Sequence, residues 1–437
     1  MTANYKAMDI GEVINRMDSS SPLRYEERDR WEQLYTPSGR GQVDKMVSIF
    51  CRKSAGFKVL FGGHSGNGKT TELSRFRCHP KILDKYFIIE FDVNEVLNPY
   101  DLEVVELLLV TYVEIRAHAE EKNLIISKEI TDRFDKAEGF FRGRLRTSEE
   151  TSGVLGLKIN LFTILKTDAQ FRKVIREEYR PRLNELIQLL DDLLLEVTAY
   201  YETRIPLIVI DGLDLVSEEK AQKLFTADAT YIAQIKNAGM LLTLPISVIH
   251  STAATHVAKV FGQAPISFKN LRLTDQDGKV DPKAETNRQT MRDFVLRRMD
   301  ASLIEDEALD MVIHYSGGVF RTLVDLLSDA AVNADVNDEN LITATHVKDA
   351  ANEMKIGMSR TLMRDQWELL QEIHEHKQLL SQTKLDTWRT LLQGLYALEY
   401  TNGEEWYDLN PLLMESLKRF QSLNLPPEKK IVKPNEA

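Results

Sequence analysis

Cysteine is scarce in this chain: Cys51 and Cys78 are the only two in 437 residues. Two thiols cannot build a disulfide framework or a complete structural zinc site, so a reducing, cytoplasmic setting is expected. Long apolar runs are missing as well. The most apolar helical stretch, LEVVELLLVTYVEI from Leu102 to Ile115, is interrupted by Glu103, Glu106 and Glu114. It is too short and too charged to span a bilayer, so no membrane partner is expected. The opening MTANYKAMDIGEVINRM has no apolar core of the kind a secretion signal needs. Positive charge is also in short supply: 56 Lys and Arg against 67 Asp and Glu leave a net charge of -11. Such a surface repels nucleic acid unless a local basic patch opposes it. What the chain does have is 43% hydrophobic residues, enough for packed cores in two or three domains.

The pattern along the chain predicts an α/β fold. Residues 1–41 read as a polar lead-in and Gln42 to Cys51 as a short helix. FKVLF (Phe57 to Phe61) is a buried strand that runs into glycines and then a helix from Lys69. YFIIEFDV (Tyr86 to Val93) is a second strand, followed by an amphipathic helix from Asp101 to about Lys122. Residues 123–182 break the pattern and are expected to be an insertion. Leu183, Leu186, Ile187, Leu190, Leu193, Leu194, Val197 and Tyr201 follow helical spacing, and PLIVIDGLD (Pro206 to Asp214) is a third strand. A helix from Glu218 to Asn237, a strand in GMLLTLPISVI and another near ISFKNLRL complete an open parallel sheet flanked by helices. The core is expected to span 42–285. A helical lid follows over 286–358, with a break at Gly317 and Gly318. Residues 359–420 carry helices and then LEYTNGEEWYDLNP, where Asn402-Gly403 predicts a hairpin and hence a winged-helix domain. The tail, 421–437, is expected to be disordered.

Gly63-x4-Gly68-Lys69-Thr70 fits the P-loop pattern at every fixed position, between a predicted strand and a helix. Glycines let successive N–H groups converge on an anion, and the helix N-terminus adds partial positive charge. The loop Gly63, His64, Ser65, Gly66, Asn67, Gly68, Lys69, Thr70 and Thr71 is therefore the candidate triphosphate site. Lys69 is assigned to the β and γ phosphates, and the Thr70 hydroxyl to a magnesium ion. The ion needs a carboxylate at a neighbouring strand end, and LIVIDGLD supplies Asp211, with Asp214 three residues on. The alternative for either aspartate is a turn or capping role, since Asp-Gly commonly marks turns. ATP and Mg2+ are the expected cofactors.

This set resembles the AAA+ and STAND division of P-loop ATPases, and DGLD is similar to the form found in NACHT-type switches. YSGGVFRTLVDLL resembles the second-sensor helix of origin-recognition ATPases. The resemblance implies that Arg321 reaches the γ-phosphate from the lid and that Thr243 is a first sensor. Their alternatives are a solvated helix residue and a strand-end threonine. Related motors place glutamate directly after the metal aspartate; here Gly212 follows, which cannot act as a base. Asp214 is the candidate substitute, and hydrolysis is expected to be slow or partner-stimulated. Arg292, Arg297 and Arg298 are candidates to act on a neighbouring subunit, with surface helix positions as the alternative. His374 and His376 are weaker candidates for sensing the β-phosphate.

Two functions follow from the resemblance. One is an ATP-dependent switch in bacterial defence or signalling, controlling a homo-oligomer or a separate effector or sensor protein. The other is a DNA-binding ATPase similar to origin-recognition or transposition regulators. Charge opposes the second: from Ser359 to Phe420 there are 7 basic and 10 acidic residues. The one basic-aromatic cluster, Arg133, Phe134, Phe140, Phe141, Arg142, Arg144 and Arg146, falls in the insertion.

Overall fold

The computed structural model describes residues 4–133, 154–380 and 384–424. Of the basic-aromatic cluster only Arg133 is among them; the rest, and the expected disordered tail from 425 onward, lie outside the described residues. The chain forms two compact units, one of Pro22–Glu32 and Gly39–Phe268 and the other of Met1–Ser21, Gln33–Ser38 and Lys269–Ala437. The first unit ends at Phe268, whereas the core expected from the sequence runs on to 285.

The lead-in is more ordered than its polar composition suggests. Helix α1 (Ile10–Arg16) is capped by the Asp9 carboxylate, which accepts from the Glu12 N–H at 2.7 Å. It buries Ile10 and Val13, and Met17 just beyond it, in the core of the helical unit. Ala7 exchanges backbone hydrogen bonds with Arg298 and Asp300. After α2 (Arg28–Leu34) and α3 (Gln42–Arg52) comes β1 (Lys58–Gly62), then the glycine loop and α4 (Lys69–Arg77).

β2 (Tyr86–Asp92) leads to α5 (Val104–Glu121), followed by α6 (Val154–Thr167), α7 (Ala169–Tyr179) and α8 (Leu183–Thr198). β3 (Ile205–Asp211), α9 (Glu218–Phe225), β4 (Gly239–Leu244), α10 (Ala254–Val260) and β5 (Ile266–Ser267) complete the sheet unit. The five strands are all parallel, in the order β2-β3-β4-β1-β5. The strand expected in GMLLTLPISVI is β4, which stops at Leu244: Pro245 follows, and Ile246–Ile249 is a helical turn. The helix expected over Glu218 to Asn237 likewise ends at Phe225 and resumes as the turn Ala229–Ala233.

Both faces of the sheet are covered, which is why its strands read as continuous apolar runs. Leu207 and Val209 of β3 face α3 and α4, where Met46, Phe50, Leu73 and Phe76 pack. Ile208 and Ile210 face the cluster formed by α5 to α8. The expected insertion supplies Leu161, Phe162, Leu165, Phe171 and Ile175 to that cluster. It also pairs with glutamates in α5 and at its N-cap: Lys158 bonds Glu114 at 2.7 Å, Arg176 bonds Glu106 at 2.6 Å and Arg180 bonds the N-cap residue Glu103 at 3.0 Å.

In the helical unit, α11 (Pro282–Leu296), α12 (Asp306–Tyr315), α13 (Phe320–Val336) and α14 (Ala344–Ser359) share one apolar core with α1. α15 (Arg364–His376), α16 (Leu385–Gln393), the antiparallel pair β6 (Ala397–Thr401) and β7 (Glu405–Leu409), and α17 (Met414–Asn424) follow in the order of a winged helix. Gly403, with φ +111°, lies in the turn of the hairpin.

A buried cation at the start of β1 gives a stability prediction. The Lys58 ammonium donates to the Gly56 carbonyl at 2.9 Å and the Ile235 carbonyl at 2.5 Å. Burial pushes its pKa down to about 8, against a smaller upward pull from Asp191. The unfolded chain therefore binds a proton that the folded chain has lost between about pH 8 and the ordinary lysine value, and stability rises with pH across that window. The gain should be on the order of 2 kcal/mol by denaturant titration at pH 7.5 and 10, and Lys58→Met should remove it.

Candidate functional site

The chemistry-bearing residues gather at the carboxyl ends of β1, β2, β3 and β4. β1 delivers the loop. Gly63, Gly66 and Gly68 have φ of +153°, +79° and +92°, a left-handed backbone that favours glycine. At Gly63 glycine is also forced by a close approach, because a Cβ there would stand 2.3 Å from the Phe268 carbonyl oxygen. That same carbonyl accepts from the Asn67 amide at 2.5 Å. Arg40 donates to the Asn67 carbonyl at 2.9 Å and lays its guanidinium 3.7 Å above the Phe268 ring. The loop is thus braced by the segment just after β5 and by an arginine just before α3. Neither residue was singled out from the sequence, and SGRG offers no periodic signal that would have found Arg40.

Lys69 opens α4 with its side chain only 4% exposed. Its ammonium donates to the carbonyls of His64 at 2.8 Å and Gly63 at 3.1 Å, and pairs with the Asp214 carboxylate at 2.8 Å. His64 and Asn67 are buried, while Ser65 and Gly66 at the turn of the loop and Thr70 and Thr71 on the first turn of α4 are half-buried. The structure therefore brings Lys69, Thr70, Asp211 and Asp214 together. The Thr70 hydroxyl lies close enough to the Asp211 carboxylate to pull its pKa down.

Asp211 closes β3 and accepts from the Gly212 N–H at 2.8 Å. Its pKa is pushed up to about 6, by burial first and then by the carboxylates of Asp214 and Asp92; Thr70 and the Gly212 N–H act the other way. Asp92, which the sequence reading left as an ordinary strand end, is in register with Asp211 across β2 and β3. The signal was present: YFIIEFD, like LIVID, is an apolar run ending in aspartate.

A divalent cation fits this donor set. Thr70 and Asp211 offer a hydroxyl and a carboxylate near one another, and neighbouring negative charge raises the proton affinity of Asp211. Among the described residues no cluster of three or more His, Cys, Asp or Glu side chains forms a metal cage. Magnesium held by one or two protein ligands, water and phosphate oxygens needs no such cage.

β4 pairs with β1 on one side and β3 on the other, which sets Thr243 between the glycine loop and Asp211. Thr243 is fully buried, and its hydroxyl accepts from the Leu213 N–H at 2.9 Å. In this arrangement it holds the turn that carries Asp214.

Arg321 lies in the first turn of α13, four residues before Asp325, in the other compact unit. The other arginine candidates bond within that unit. Arg292 pairs with Asp306 and Asp310, Arg297 donates to the Gln33 carbonyl, and Arg298 donates to the Leu34 carbonyl and covers the Phe294 ring. These contacts fit the structural alternative for all three. His374 accepts or donates at 2.7 Å to Asp408 inside the winged-helix region, and His376 is exposed.

No protein-family profile matches the chain, and no curated protein matches it. Solved structures do. Cdc6p from Pyrobaculum aerophilum is 11% identical, with 90% of this chain and 97% of that one covered, at a TM-score of 0.39. The Drosophila ORC bound to DNA is 11% identical, with 96% and 93% covered, at 0.42. The RuvB Holliday junction branch migration motor of Thermotoga maritima is 12% identical, with 86% and 88% covered, at 0.36. Likenesses this distant carry no weight for function, which rests on the site's own geometry.

Thr243→Val removes the acceptor of a buried N–H without changing shape. It should lower stability by about 1 to 3 kcal/mol in chemical denaturation, with Thr243→Ser close to wild type.

Proposed function

We propose that the chain is a magnesium-dependent, ATP-binding switch with slow or partner-stimulated hydrolysis, acting on its own assembly or on a separate effector or sensor protein. The observation that carries this is the buried pair of Lys69 and Asp214 at the end of a glycine loop shaped for an anion, with Thr70 and Asp211 beside it. The loop N–H groups and the start of α4 would bind the phosphates, and Lys69 would neutralise them. Thr70 and Asp211 would hold magnesium, which supplies charge neutralisation at the phosphate oxygens.

Asp214 gives the switch a physical basis. Phosphate oxygens and the Asp214 carboxylate compete for the same ammonium, at present 2.8 Å from Asp214. Occupancy of the loop is thereby coupled to the turn after β3, which Thr243 ties to β4. Arg321 is the candidate to report the γ-phosphate to the helical unit, an assignment that rests on the likeness of YSGGVFRTLVDLL to second-sensor helices.

A DNA-binding role is the less favoured reading. The hairpin bears Glu404 and Glu405 at its turn, where a phosphate backbone would call for lysine or arginine.

Lys69→Ala should weaken binding of a fluorescent ATP analogue at least about tenfold, and Asp211→Ala should abolish the effect of adding magnesium to EDTA-treated protein. Native mass measurement with ATP, ADP and a slowly hydrolysed analogue should give nucleotide-dependent assemblies that Lys69→Ala does not form. If Lys69→Ala kept wild-type affinity and mass, the proposal would be lost.

A further inference from the structure

Position 212 has no room for a side chain. Gly212 has φ +78°, and a Cβ on it would lie 2.3 Å from the Asp92 Oδ1 and 2.5 Å from the Asn94 Nδ2. Those two atoms are not loose ends. Asp92 Oδ1 accepts from the Asn94 backbone N–H at 2.8 Å and from the Asn94 side-chain amide at 2.8 Å. A larger residue at 212 would combine left-handed backbone strain with loss of this pair. The space beside the metal aspartate is therefore filled from the neighbouring strand, and what fills it is a carboxylate.

The three aspartates at this edge have different commitments. Asp211 accepts from the Gly212 N–H, and the buried Asp214 is paired with Lys69. Asp92 is half-exposed and takes its hydrogen bonds from the neutral groups of Asn94. It is paired in register with Asp211 across β2 and β3, and its Oδ1 abuts Gly212, the next residue after Asp211. A carboxylate close to the metal site, oriented by a neighbour and open to water, is what a general base requires.

We infer that Asp92 is the general base for ATP hydrolysis, supplying from β2 the acidic group that Gly212 cannot carry. The inference rests on the function proposed above. In the step, the water oxygen bonds to the γ-phosphorus while the bond from that phosphorus to the β,γ-bridging oxygen breaks. The electron pair of the broken bond stays with ADP, and the water proton passes to Asp92 and from there to the phosphate product. Asn94 is a positioning residue, holding one Asp92 carboxylate oxygen through its backbone N–H and its side-chain amide.

The test compares wild type, Asp92→Asn, Asp92→Glu and Asp214→Asn in nucleotide affinity, single-turnover hydrolysis at saturating ATP and thermal melting. Asp92→Asn keeps the acceptor for Asn94, so melting and affinity should stay within about twofold of wild type while the hydrolysis rate falls about a hundredfold. Asp92→Glu should recover part of the rate, and Asp214→Asn should alter ATP affinity. Wild-type hydrolysis by Asp92→Asn would overturn the inference. So would a parallel loss of affinity and melting temperature in that variant, or loss of single-turnover rate confined to Asp214→Asn. Failure of the wild type to bind ATP would instead overturn the nucleotide-binding reading itself.

Discussion

The pairing of one buried ammonium with one buried carboxylate organises this site. Lys69 and Asp214 sit 2.8 Å apart with side chains 4% and 10% exposed. Removing either partner alone would strand a charge in a dry setting, at a cost typically near 3 to 5 kcal/mol. The two are set on different elements, the start of α4 and the turn after β3, so their contact makes the glycine loop and that turn a single electrostatic unit. Glycine geometry at Gly63, the brace from Asn67 and Arg40, and the Thr243 hydrogen bond all keep these elements in reach of one another.

A second balance of charge supports the sheet from behind. α5 is buried on nearly all sides yet carries Glu106 and Glu114, with Glu103 just before its first turn, and these would be costly inside an apolar layer on their own. Residues from the segment that interrupts the α/β pattern provide the compensating cations. That segment is consequently part of the core, because without it α5 would expose both its apolar flank and its glutamates.

The glycine loop, β1 and β3 were legible because their signals are local: glycines at fixed spacing and apolar runs that end in functional residues. The hairpin was legible for the same reason, from Asn402-Gly403. The lead-in was not, since α1 offers only Ile10 and Val13, with Met17 beyond it, and the partners that bury them come from the far end of the chain. The packing of 154–179 was hidden by Gly156, Asn160 and a high charge, whose meaning depends on glutamates on α5. Asp92 was overlooked for a different reason. The role inferred for it depends on lying beside Asp211 across two strands and against the open face of Gly212, a relation that no spacing along the chain expresses.

Farther along the chain, the double glycine before α13 is wedged between two neighbours. A Cβ on Gly318 would meet the Leu271 carbonyl oxygen and one on Gly317 would meet Leu398 of β6, while the Tyr400 hydroxyl donates to the Gly317 carbonyl at 2.7 Å. Lys269 is pinned to Glu399 and Glu405 of the same hairpin at 2.6 and 2.7 Å. The root of the helix bearing Arg321 and the turn half of the terminal hairpin are thus joined by packing, a hydrogen bond and ion pairs. Alanine at Gly317 would therefore press on the helix start and on the hairpin at once.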